Sequence, residues 1–220
     1  MREPSNLRAG VRAGLPFVLP TIALGISFGV LARPVMGPVA PIVMSICVFS
    51  GAAQFAALSV LVAGGGAVAA IAAGMLMNAR WLPMGFAVGP SLPGRALARA
   101  LQGQAVVDAS FVISSRGDGT FDRGLLIGAT LVQGASWVTG TVIGVLAGPV
   151  LGDPQKLGLD AVFVAFYLAL VVEEAASHSR LAIATAVGGA AIALALMPFA
   201  PPGVPIIFAS LAALLGLRRA

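Results

Sequence analysis

Long apolar runs separated by short polar interruptions set the pattern of this chain. The runs cover about residues 15–32, 39–63, 67–88, 125–151, 159–172, 180–198 and 204–217. A membrane-spanning helix needs about 20 predominantly apolar residues, so the spacing predicts an all-α integral membrane protein. The longest polar stretch, residues 89–123, holds one apolar piece (residues 105–114) that is too short to span and predicts a short helix along or dipping into the bundle. Residues 1–14 are basic and read as a cytoplasmic tail. The apolar run behind them could mimic a signal peptide, but no small-residue cleavage site follows, so it is taken as a retained first span.

Polar residues inside the runs break the monotony. The second run contains Phe49-Ser50-Gly51-Ala52-Ala53-Gln54-Phe55, and the third ends Met77-Asn78-Ala79-Arg80-Trp81. Serine, glutamine, asparagine and arginine are costly in hydrocarbon and usually face a bundle interior or a water-filled path. Glycine beside Ser50 favours a break, and interrupted membrane helices commonly build solute sites, because a half-helix start offers free N–H groups and partial positive charge. Ser50 and Gln54 lie one turn apart. They either face a solute together or tie helices by hydrogen bonds. Asn78 and Arg80, two residues apart on a helix, point to different faces. Arg80 can pair with a solute carboxylate or with Asp108, or snorkel to the interface. Asp108, in an apolar stretch, is the candidate for ion coupling, since burial raises a carboxylate's pKa and lets it titrate; a salt bridge or an exposed charge is the other reading. Gly25-x-x-x-Gly29 and Gly140, Gly144 and Gly148 mark faces where helices can approach closely.

Composition agrees and narrows the class. Of 220 residues 59% are hydrophobic and 10% charged, against about 25% charged in an average soluble domain; the mean hydropathy is +1.00. Seven segments use most of the length, which predicts one polytopic membrane domain over residues 1–220. A pI near 11.0 could indicate nucleic acid, but the arginines sit between apolar runs and read as topology signals. The single cysteine, Cys47, excludes a disulfide framework, and no Gly-x-x-x-x-Gly-Lys-Ser/Thr occurs, which argues against direct use of ATP. The single histidine, His178, near Glu173-Glu174, fits no metal or catalytic spacing, so no enzyme and no cofactor is expected.

Cytoplasmic loops are enriched in Lys and Arg, and this decides orientation. If the second run is a broken, re-entrant segment and the others cross, ten basic residues fall inside and two, Arg33 and Lys156, outside, with Arg80 in the bundle. If the second run crosses fully, the split becomes four inside and eight outside. If residues 105–114 also cross, it becomes eight against four. The expected architecture has about six transmembrane helices, one broken segment and both termini cytoplasmic.

Phe49-Ser50-Gly51-Ala52-Ala53-Gln54-Phe55, followed by Asn78-x-Arg80 and by Asp108 after a basic loop, resembles the AzlC family, the large subunits of branched-chain amino acid permeases. Gly158-Leu159-Asp160 before an aromatic-rich span with Phe163, Phe166 and Tyr167 is similar too, so the likeness extends from about Gly14 to the end. The resemblance implies export of valine, leucine, isoleucine or similar amino acids across the inner membrane. It also implies a small AzlD-type membrane subunit as partner. It places substrate binding on Ser50, Gly51, Gln54, Asn78 and Arg80, and ion coupling on Asp108. The family often carries Asp-Glu where this chain has Asp108-Ala109, which removes one possible coupling carboxylate.

Overall fold

A computed structural model describes residues 6–151, 165, 168, 172, 180–200, 204–209 and 211–212. Among them the regular structure is helical, apart from one isolated β-bridge between Ser115 and Phe121. We number the helices α1 (Leu7–Met36), α2 (Ala40–Cys47), α3 (Gly51–Val62), α4 (Ala67–Asn78), α5 (Trp81–Val88), α6 (Ala96–Gly103), α7 (Asp108–Ser114), α8 (Arg123–Leu151), α9 (Arg180–Leu196) and α10 (Val204–Ala209). Helices α1 and α8 are each long and apolar enough to cross a membrane, and α4 with α5 forms a third candidate bent by 46°.

The frame is the pair α1 and α8, which run parallel. A Cβ on Gly10 would lie 2.6 Å from Leu125 O, and one on Gly25 would lie 2.6 Å from Trp137 O; farther along, Gly29 meets Thr141 O and Val145. The other side of the seam is equally bare: Gly128 abuts Leu7 O, Gly140 abuts Ile22 O and Gly144 abuts Ile26 O. Each helix thus brings two pairs of glycines four residues apart, and backbones touch where side chains would collide. Without a hydrophobic driving force between helices in lipid, such close packing is a main source of association. Gly37, at φ 76°, ends α1, its N–H closing on Arg33 O at 2.9 Å, while the Arg33 guanidinium reaches across to donate to Val145 O.

Helix α1 begins at Leu7, within the residues read as a tail, and Gly10 and Gly14 face α8. Asp122 fastens this end: its carboxylate accepts from Asn6 Nδ2 at 2.7 Å and Arg116 Nη2 at 3.0 Å, and caps α8 by accepting from Gly124 N and Leu125 N at 2.8 and 3.0 Å. Burial opposes its ionisation, but these four donors outweigh that and hold the carboxyl below its usual range.

The second run breaks as expected: α2 stops at Cys47 and α3 starts at Gly51. Phe49 between them sits at φ 41°, a left-handed conformation that costs a non-glycine residue free energy. Two expectations need correction. The third run is bent at Ala79–Arg80 rather than continuous. The polar stretch holds two short helices, α6 and α7, in place of one over 105–114, and Asp108 opens α7 instead of lying inside an apolar helix. Arg116-Gly117-Asp118 lies in the turn before α8, with Gly117 and Gly119 at φ 79° and 84°. The fifth run, with Gly158-Leu159-Asp160, Glu173-Glu174 and His178, falls outside the described residues except at isolated positions.

Candidate functional site

Two helix breaks meet against α8. At the first, Ser50 is the N-cap of α3: its backbone is extended and its hydroxyl oxygen accepts from Ala53 N at 3.3 Å. The same hydroxyl donates to Asn78 Oδ1 at 2.6 Å, fastening the start of α3 to the end of α4. At the second break, Arg80 engages Asp108 by two bonds, Nε to Oδ1 at 3.1 Å and Nη2 to Oδ2 at 2.8 Å. This planar fork is the geometry in which arginine holds a carboxylate best. The arginine also lies 5.9 Å from the centre of the Trp81 ring.

A cavity of about 180 Å³ lies between these breaks, α7 and α8. Ser50, Gly51, Arg80, Asp108 and Gln133 contribute polar groups or bare backbone to its wall; Leu24, Phe49, Trp81 and Trp137 contribute apolar surface. Gly51 is required there, because a Cβ would stand 2.9 Å from the Trp137 ring. Trp81 Nε1 is buried without a hydrogen-bond partner among the described residues. A second cavity of about 1,050 Å³ lies along α3 and α4, and among the described residues lining it Asn78 is the one polar side chain.

Gln54 is placed differently. It is fully buried, its Nε2 donates to Ser45 Oγ at 2.9 Å, and its Oε1 accepts from Trp137 Nε1 at 2.8 Å. Ser45 in turn pairs with Thr141 at 2.9 Å. This network joins α2, α3 and α8 behind the break. Phe28, Phe55 and Trp137 pack around it, with centroids 5.6–6.3 Å apart.

The structure therefore brings Ser50 to Asn78 and Arg80 to Asp108, sets Gly51 beneath Trp137, and commits the Gln54 amide to its neighbours. Sequence reasoning passed over the α8 contribution, Gln133 and Trp137, and over Trp81. Their signal was present: Gln133, Ser136 and Thr141 recur at helical spacing inside an apolar run, as polar residues facing a bundle interior do.

The chain matches the family model described as "AzlC protein" over residues 16–151. It is 26% identical over 182 residues to the branched-chain amino acid transport protein AzlC of Bacillus subtilis, covering 79% of this chain and 71% of that one. It is 31% identical over 178 residues to the inner membrane protein YgaZ of Escherichia coli, covering 73% and 71%. An uncharacterised membrane protein of Archaeoglobus fulgidus is 29% identical over 216 residues, covering 96% and 94%. No solved structure matches the chain. With the family model spanning well over half of its length and the paired glycines, broken helix and polar breaks all inside or beside that span, the chain belongs to the AzlC family.

Proposed function

We propose that this membrane protein is a secondary-active exporter of branched-chain or other hydrophobic amino acids, working in the inner membrane with a small AzlD-type subunit. The observation that carries the reading is the small cavity where two interrupted helices present Ser50, Gly51 and Arg80 beside Asp108. Broken helices lining a cavity are the usual construction of a transporter site. About 180 Å³ is roughly six times the ~30 Å³ share of a water molecule and falls below the ~300–1,000 Å³ of drug-sized pockets, so it suits a small solute. The printed name of the B. subtilis relative supports the substrate class.

Ser50, Gly51, Asn78 and Arg80 form the substrate-binding set, with Gln54 holding the break behind them, and Asp108 couples transport to protons. The parallel run of α1 and α8 supports the re-entrant topology. Starting both helices on one face of the membrane requires an odd number of crossings between them, and the bent α4–α5 pair supplies one. Full crossing of the second run alone would make the pair antiparallel; a further crossing at residues 105–114 would restore the parallel run, but that apolar piece is too short to span. On this reading there are six crossings, one domain, and both termini in the cytoplasm.

The test is efflux of preloaded radiolabelled valine, leucine and methionine from vesicles, with and without the small subunit, across an imposed pH gradient. Gradient-driven efflux supports a coupled exporter, and an Asp108→Asn variant that still releases solute down its own gradient but ignores the pH gradient supports Asp108 as the coupling group. The buried Ser45–Gln54–Trp137 network favours one second reading, a channel-like or structural subunit whose polar residues only tie helices. Such a protein would equilibrate solute or pass none, and would never move it against its gradient.

A further inference from the structure

We infer that the Arg80–Asp108 ion pair is itself the receptor for a zwitterion: an α-amino acid enters by opening the pair, its carboxylate taking Arg80 and its ammonium taking Asp108. This rests on the transporter reading above and adds how the solute is told from its relatives.

Three observations carry it. Among the described residues, Arg80 and Asp108 are the charged ones lining the small cavity, and they cancel. Their side chains are 35% and 56% exposed, so a solute can reach both without unpacking the core. Two polar groups beside them are underused. Gln133, on the opposite wall, donates its amide nitrogen to Ala129 O at 3.4 Å and leaves its oxygen free to accept. Trp81, next to Arg80, has a buried indole N–H without a partner among the described residues.

Charge bookkeeping then selects the ligand. A solute carrying only a carboxylate must strip Arg80 from Asp108 and leave the aspartate unpaired. An amine without a carboxylate leaves the arginine unpaired. A charge left without its counter-ion gives up the Coulomb attraction and the charge-assisted hydrogen bonds of the fork. A zwitterion replaces one ion pair with two and leaves none over. Discrimination of this kind comes from groups stranded by the wrong ligand more than from extra contacts to the right one.

The experiment measures ligand-induced thermal shifts and affinities of the purified full chain in detergent. The probes are leucine, valine, alanine and glycine as zwitterions, 3-methylbutylamine as leucine without its carboxylate, and 4-methylpentanoate as leucine without its ammonium. In the wild type both monopolar analogues should bind at least about tenfold more weakly than leucine, the loss expected from one missing set of charge-assisted hydrogen bonds. In Asp108→Asn the order should invert for the acid: 4-methylpentanoate gains affinity because Arg80 is free, while leucine loses it. Arg80→Gln should favour 3-methylbutylamine in the same way. Equal binding of leucine and its monopolar analogues to the wild type, a measurement that needs no variant to fold, would overturn the inference and leave the transporter reading standing. Absence of binding by every zwitterion would overturn both.

Discussion

Ser50 lines the small cavity that holds Arg80 and Asp108, Asn78 lines the large apolar one, and a 2.6 Å hydrogen bond joins them. One bond thus lies between the two spaces, and it also fixes the N-terminus of α3 to the end of α4. Loss of the Ser50 hydroxyl removes a helix cap and an interhelical bond together.

Ser50→Ala should lower stability by about 1–2 kcal/mol, the typical cost of a lost cap, and reduce amino-acid efflux more than that alone explains. Ser50→Thr, which keeps the hydroxyl, should recover most of both. Thermal midpoint in detergent and efflux from vesicles measure the two effects separately. Unchanged efflux in Ser50→Ala would remove this residue from the site.

The glycine seam predicts a sharp contrast between positions. Gly144→Leu or Gly29→Leu puts a side chain where backbone atoms of the partner helix already stand. Either should abolish accumulation of a monodisperse protein. Gly66→Ala meets nothing within 4 Å and should be tolerated. Size-exclusion profiles of the detergent-extracted variants decide the matter.

Gln54→Leu should act through packing and unpaired partners. It removes the nearer of the two acceptors of the Trp137 N–H, leaving Ser45 Oγ at 3.2 Å, and deprives Ser45 of the amide donor, a loss of about 0.5–1.5 kcal/mol for each hydrogen bond. Trp137→Phe removes the same interaction from the other side. The double variant should therefore be less destabilised than the sum of the singles, by about 0.5–3 kcal/mol. Strict additivity would show that the amide and indole are not coupled.

Asp122 gives a pH dependence with a definite sign. Its folded pKa lies below the ~3.9 of an unfolded aspartate. Its contribution is fully present above that value and is lost as pH falls through the lower folded pKa. Hydrogen exchange of residues 7–14, the part of α1 nearest this carboxylate, should speed up in Asp122→Asn at neutral pH. The difference between variant and wild type should close as the pH falls through the lowered folded pKa.

The sequence by itself determined the solvent and the ingredients. Runs of about 20 apolar residues can satisfy their backbone only as helix in lipid, so the all-helical class came from residue type alone. Ser50-Gly51 marked a break because glycine tolerates the backbone angles an interrupted helix demands and serine can cap the half-helix after it. The glycines four apart signalled close packing without naming a partner.

Tertiary structure decided the pairings. Nothing local says that Gly25 meets Gly140, or that the two helices run parallel; that depends on how the chain between them returns. Gln54 and Ser50 sit one turn apart in one motif, yet the first turns toward Trp137 and the second toward Asn78. Arg80 had two open partners and an interfacial alternative in sequence, and the bend at Ala79–Arg80 together with the start of α7 chose Asp108. Polar side chains in an apolar bundle must find partners, but which partner each finds is set by contacts across tens of residues, where the sequence carries no register.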